Sequence, residues 1–368
     1  MFQYDGSYLP DSITLTAWIK DPFTGGAALG TTQLIRTHHT TCLKGIQSFD
    51  VLVNAGVPQP IQINAVVGAD HPTTSDFANF TIDTGSLGVI VPKRELVAGR
   101  NVHGPGAQGE KTYDSSGFSF FGNYYLAPVN IELNDRTFIQ TNPILVLAID
   151  RSSCSKSGCK PPPINLHYLG VGFDRNSTGS EDEFDSPADN AFLELTDKRN
   201  GSDINQGYIL SADAVTLGIT SADSAGFNAV QLQPNSTTPG DWEAEQGCYG
   251  FPTLKGRPQF CGTLLLDVGI NEMFIDLPFS QRPPRTYDVN EEVPSGLRMQ
   301  IQAGPATEPA MNYDFTTVQQ GTNPIGPAPT YVQWINRNQT FVNTGRRPLL
   351  NFDYLYSGRC GEVAFHPN

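Results

Sequence analysis

FTIDTGSLGVIVP, residues 80–92, is an apolar strand that runs into an acid, then a glycine, then a second apolar strand. The same form returns in the second half as LLLDVGINEMFIDLP, residues 264–278. Downstream of each lies an apolar stretch that meets a glycine: YLGVGF at 168–173 and FVNTGRRPLLNF at 341–352. A form that recurs in this way marks an internal duplication. A carboxylate at a sharp turn after a buried strand is held rigidly, and the glycine that follows lets backbone approach closely. Two such turns related by a pseudo-twofold axis set Asp83 beside Asp267. Like charges so close cannot both ionise, so the pair shares a proton over a wide pH range. One carboxylate then takes a proton from water while the other gives one to a carbonyl oxygen.

Around both motifs the chain is written in short apolar and β-branched runs. ITLTAWI at 13–19, FDVLV at 49–53, IQINAVV at 61–67, FSFFGNYYL at 118–126, PILVLAI at 143–149, RMQIQ at 298–302 and YVQWI at 331–335 all read as strands. With 36 glycines and 28 prolines, turns are frequent. Only AFLELTDKR, from Ala191, has the look of a short helix. The fold class is therefore mainly β, and 368 residues suffice for one large domain or two ordinary ones.

Charge narrows the partners. Against 37 acids stand 23 basic residues, a net charge of −14, which argues against a nucleic-acid or anionic-membrane surface. No apolar run approaches the ~20 residues that span a bilayer. The opening MFQYDGSYLP lacks the basic-then-apolar pattern of a signal peptide, so a secreted protein would take its leader from outside this sequence. Cys154 and Cys159 bracket the tight CSKSGC loop, and Cys248 and Cys261 bracket CYGFPTLKGRPQFC. Each pair reads as a local disulfide of an oxidising, extracytoplasmic compartment; reduced structural cysteines in a cytosolic protein are the alternative. Sequons at Asn176, Asn200, Asn235 and Asn338 lie in polar, loop-like stretches, whereas Asn79 sits on an apparent strand. The acidic stretch from Asp174 to Asn190 lacks EF-hand spacing and reads as a solvated loop. His38, His39 and Cys42 have no second ligand group at recognisable spacing, so neither a metal nor a cofactor is expected.

From about Phe49 onward the chain resembles the pepsin-like aspartic protease family. FTIDTGSLGVIVP is similar to the family's first active-site strand pair, and KTYDSSGFSFFGNYYLAPVNI to its flap hairpin, with Tyr113 at the place of the flap tyrosine. YLGVGF resembles the stretch that packs behind the first acid. QGYIL and FNAVQLQ resemble the crossover between lobes, and GRRPLLNFDYLYSGRCGEVAF the closing strands. The resemblance implies a bilobal fold with a central cleft. Residues 1–48 would be an N-terminal extension or interlobe strand region, 49–205 the N-terminal lobe and 206–368 the C-terminal lobe. It implies Asp83 and Asp267 as catalytic residues, supported by Thr84, Gly85, Ser86, Gly269 and Tyr113, with Phe118 and Phe120 lining apolar substrate subsites. It also implies a peptide or protein substrate in the cleft, a monomer, and a long-range Cys42–Cys360 bridge.

The chain departs from the family at three places. Val268 and Ile270 stand where the second motif normally carries hydroxyls, so Asp267 is expected to have fewer donors, a higher pKa and a looser seat. Ile90 stands where the family usually has the tryptophan that braces the flap tyrosine, and the stretch ahead of DTGS is longer than a mature pepsin carries. Three readings stay open. The chain is an active endopeptidase, or a catalytically impaired relative that binds a protein or glycan. The third is an enzyme of the same fold that uses the acid pair for proton transfer on a substrate other than a peptide.

Overall fold

Three sheets carry the chain beyond residue 45, and the apolar runs supply their strands. The computed structural model describes residues 12–19, 27–35, 45, 47–113, 116–175, 184, 186–196, 204–253, 259–278, 281, 291–322, 324 and 326–368. Residues 1–44 form one unit and residues 45–368 a second. In the first unit, strands Ser12–Ile19 and Ala27–Ile35 pair antiparallel with an irregularity between Ala17 and Trp18. Cys42, His38, His39, Asn176, Asn200 and most of the acidic stretch after Arg175 lie outside the described residues, and with Cys42 the long-range bridge expected for Cys360.

In the second unit an eleven-stranded sheet is built from residues between Val53 and Thr196. At its centre, strand Tyr168–Val171 lies between Ala78–Asp83, to which it runs parallel, and Leu87–Pro92, to which it runs antiparallel. All six residues of Leu87–Pro92 are buried, which is why LGVIVP reads as a continuous apolar run and not as an alternation. A seven-stranded sheet repeats the plan in the second half. There Phe341–Asn343 lies parallel to Phe260–Leu265 and antiparallel to Met273–Asp276. The registers match across the duplication: Tyr168 faces Ile90 as Asn343 faces Phe274, and Ile90 and Phe274 stand the same distance past their acids.

The third sheet has six strands and draws on both ends of the unit. Its order runs from Asn228–Gln231 through Glu362–Pro367, Phe352–Ser357, Gly207–Leu210 and Val215–Leu217 to Phe49–Asp50. One contiguous apolar core joins the halves, from Ile63, Ile82 and Val89 in the first to Leu264, Ile275 and Trp334 in the second.

Among the described residues 191–196 the helix expected from Ala191 does not form. Residues 191–193 form a turn, followed by a two-residue strand, Leu195–Thr196. Ala191, Phe192 and Leu193 are buried in succession, which departs from the period of an amphipathic helix. Asn190 holds the turn instead: its Oδ1 accepts the Phe192 N–H at 2.9 Å, and its amide donates to the Val171 carbonyl at 2.8 Å. The two local disulfides, Cys154–Cys159 and Cys248–Cys261, are present. Among the described residues no helix is long and apolar enough to cross a membrane.

Candidate active site

Asp83 ends the strand Ala78–Asp83, and the chain turns back at once through Thr84, Gly85 and Ser86 into Leu87–Pro92. The turn aims two donors at the buried carboxylate. The Gly85 N–H donates to Oδ1 at 2.8 Å, and the Ser86 hydroxyl to Oδ2 at 2.6 Å. Asp267, also buried, follows the strand Phe260–Leu265 in the same way, and the Gly269 N–H donates to its Oδ1 at 3.0 Å.

The two turns meet face to face. A methyl group built on Gly85 would lie 2.5 Å from the Asp267 carboxyl carbon, and one on Gly269 would lie 2.4 Å from Asp83 Oδ1. Each glycine is therefore the only residue that clears the acid opposite. Thr84 ties the turns together: its hydroxyl donates to the Leu266 carbonyl at 2.5 Å and accepts the Val268 N–H at 2.9 Å. Val268, wholly buried, has no hydroxyl to return the bond.

Two arginines hold the turns from outside the motifs. Arg346, buried, donates through Nε to the Val268 carbonyl at 3.0 Å and through Nη2 to the Gly269 carbonyl at 2.6 Å. Its Nη1 reaches the Pro58 carbonyl of the first half at 3.4 Å. Arg175 donates through Nε to the Thr84 carbonyl at 3.1 Å.

The donor expected to be missing from Asp267 comes from another strand. Asn343 donates its amide N–H to Asp267 Oδ2 at 2.7 Å, from 76 residues away in sequence. Its Oδ1 accepts the Gly345 N–H at 3.0 Å, which fixes which end of the amide faces the acid. Asp267 thus has one donor on each oxygen, as Asp83 has. Burial, and after it the charge of Asp83, raises the proton affinity of Asp267 to about 7, while the Asn343 amide works against the rise. The pair consequently keeps one proton between two acids across the acidic range.

The strands Gln108–Tyr113 and Phe118–Ala127, expected as the flap hairpin, pair antiparallel, with Tyr113 opposite Phe118. With Ile90 in place of a large ring, Tyr113 rests on other aromatics. Its ring meets Tyr168 at 5.6 Å and Phe120 edge-on at 6.1 Å. Burial first, and the charge of Asp83 second, raise the pKa of the Tyr168 phenol. Phe118 is half-buried, whereas Phe120 is 2% exposed in a cluster with Ile90, Tyr124 and Phe184.

The structure therefore gathers Asp83, Thr84, Gly85, Ser86, Asp267 and Gly269 in one place, with Tyr113 in the adjoining hairpin. Asn343, Arg346 and Arg175 have no counterpart in the DTGS and DVGI motifs. One signal for Asn343 was present: it stands two places before Gly345 in FVNTG, as Tyr168 stands two places before Gly170 in YLGVG.

No protein-family model matches the chain, and no curated protein matches it in sequence. In fold it is similar to the crystal structure of an aspartic proteinase from Irpex lacteus, with a TM-score of 0.53 and 16% identity. The likeness covers 88% of this chain and 97% of that one. The chain has the bilobal, mainly β fold of the pepsin-like acid proteases.

Proposed function

We propose that the protein is an aspartic endopeptidase in which Asp83 and Asp267 activate a water between them for attack on a peptide bond. The observation that carries this reading is the completeness of the acid pair. Two buried carboxylates face each other across Gly85 and Gly269, and each of their four oxygens has a donor. A site that only bound a ligand has no need to hold two carboxylates so close against their mutual repulsion.

In the proposed reaction the ionised carboxylate takes a proton from the water as its oxygen bonds to the carbonyl carbon. The protonated carboxyl gives its proton to the carbonyl oxygen, forming a neutral diol. Collapse of the diol breaks the C–N bond, with a proton passing from the pair to the departing amine. Tyr113 and Phe118 offer the flap side of the cleft to an extended peptide, and Phe120 supports Tyr113 from behind. The disulfides Cys154–Cys159 and Cys248–Cys261 support a secreted or otherwise extracytoplasmic setting.

Incubation with a denatured protein substrate from pH 3 to pH 8 tests the reading. Cleavage is expected at acidic and weakly acidic pH and is lost as pH rises through about 7, where the proton raised on Asp267 departs. Asp83→Asn and Asp267→Asn should each abolish cleavage, on the order of 10³-fold or more, without loss of fold. A well-folded wild type that cuts nothing at any pH rejects the proposal and favours the binding alternative.

A further inference from the structure

The three central strands of the first half turn only one face to the acid site. Ile90 and Tyr168 pack in the aromatic cluster beneath Tyr113, whereas Phe80 and Val91, on the opposite pleat, belong to the main core. On that far side lies a cavity of about 420 Å³, lined by the buried Val66, Phe80 and Val91 and by the half-buried Phe77, Leu96 and His167. Its surroundings are pinned. The Val97 N–H donates to the Val67 carbonyl at 3.0 Å, which holds the chain after the turn Lys93–Glu95 against the strand Gln62–Val67. The His167 Nε2 meets Glu95 Oε2 at 2.6 Å, and its ring stands edge-on to Phe80 at 5.0 Å. Three charged side chains join His167 around the cavity: Asp76, Arg94 and Glu95. Glu95 is already paired, with His167 on one oxygen and Arg94 Nη2 3.1 Å from the other. Asp76 makes no ion pair with Arg94 among the described residues; its Oδ2 accepts the Thr73 N–H and the Thr73 hydroxyl, each at 2.7 Å.

A carboxylate and a guanidinium that border one cavity without pairing offer opposite charges to whatever enters it. We propose that this cavity is a binding site for a small zwitterion with an apolar side chain, a free α-amino acid or dipeptide. The ligand's ammonium bonds to Asp76, its carboxylate to Arg94, and its side chain lies against Phe77, Phe80 and Leu96. At a water's share of about 30 Å³, the cavity's 420 Å³ holds on the order of a dozen non-hydrogen atoms, the size of phenylalanine. That volume falls within the range of small-molecule sites. The Thr73 N–H, and after it the Thr73 hydroxyl, hold the Asp76 carboxyl below the usual carboxylate range, so the acid keeps its charge at acidic pH. The two charges also select. A neutral apolar molecule gains neither bond, and a simple carboxylate that meets Arg94 also meets the uncompensated charge of Asp76. Short apolar peptides are products of proteolysis, so the biological meaning of the site rests on the endopeptidase reading, while the binding itself does not.

The test is an NMR titration of the full chain at pH 5 with L-phenylalanine, read at the histidine ring signals. The His167 signal is assigned from the spectrum of His167→Gln, or from its through-space contact with Phe80 should that variant fail to fold. Phenylalanine should move the His167 signal with a Kd of about 0.1–5 mM. Saturation that leaves His167 unmoved, or no saturation by about 20 mM, overturns the proposal. Asp76 and Arg94 are exposed, so Asp76→Asn and Arg94→Gln leave the core intact, and each should weaken phenylalanine binding about tenfold. Two analogues then separate the contacts. 3-Phenylpropionate, which lacks the ammonium, should lose nothing further in Asp76→Asn. Phenylalaninamide, which lacks the carboxylate, should lose nothing further in Arg94→Gln. Equal losses for all three ligands in either variant would mean that the charge acts on the fold and not on the ligand, and also overturn the proposal. Phenylalanine binding by a chain that cleaves no protein supports the site and removes only its link to proteolysis.

Discussion

Thr84 does alone what a symmetric site would divide between two side chains. Its hydroxyl makes both cross-connections, to the Leu266 carbonyl and from the Val268 N–H, and both partners are buried. Thr84→Val should therefore orphan two buried backbone groups and cost about 2–4 kcal/mol in chemical denaturation, while Thr84→Ser stays within about 1 kcal/mol of the wild type. Equal losses in the two variants would mean that the methyl group and its packing matter, and not the hydroxyl. The missing hydroxyl at Val268 is offset from a place the motif does not reach. Arg346 gathers the Val268, Gly269 and Pro58 carbonyls with one guanidinium, so the second turn is anchored by a charged donor in place of a neutral one.

At the scale of strands, the site depends on three that run side by side in each half. Gly170 lies opposite Asp83 on one side and Gly88 on the other, and a methyl group on it would come within 2.6 Å of the Leu87 carbonyl carbon. Gly170→Ala must push Tyr168–Val171 away from Leu87–Pro92, and backbone cannot yield as a side-chain tip can. The expected loss is about 2–4 kcal/mol, with a raised KM as Tyr168 shifts beneath Tyr113, measured by thermal melts and cleavage kinetics. The register of these strands also explains what could be read in advance. Asp83, Gly85, Asp267 and Gly269 were legible because a turn is local and the duplication prints it twice. For Asn343 the spacing to Gly345 marked the position but not its partner, because parallel pairing decides its neighbour: Asn343 lies opposite Leu265, within reach of Asp267. Arg346 and Arg175 reach carbonyls, and carbonyls leave no mark in a sequence. The turn at Ala191–Leu193 was misread as helix for a related reason, since Asn190 bonds to Val171 on a distant strand.

For the molecule as a whole, the buried acids tie stability to pH. Glu245 is 3% exposed, its Oε1 has no hydrogen-bond partner among the described residues, and burial pushes its pKa up to about 8, with Arg175 opposing. Asp267 is raised to about 7. In the unfolded chain both titrate near 4, so the folded state binds these protons more tightly. Their contribution to stability is whole below pH 4 and drains away as pH rises through 7 to 8. The melting temperature should fall from pH 5 to pH 8, and Glu245→Gln should flatten that fall by a few kcal/mol at pH 8. An unchanged slope would show that Glu245 is not the group responsible. The six-stranded sheet carries a consequence of another kind. Its strand Glu362–Pro367 lies inside the sheet, between Asn228–Gln231 and Phe352–Ser357, while Phe49–Asp50 waits at the far edge. A ribosome has thus delivered every strand of the eleven-stranded sheet by Thr196, yet must still make Asp267, then Asn343, then the strand that fastens both halves. At about 5–20 residues per second that interval is on the order of ten seconds or more. Until Asp267 is made and its sheet closes, the nascent chain holds one acid without its mate, so on the endopeptidase reading it has no assembled site with which to cut itself or its neighbours.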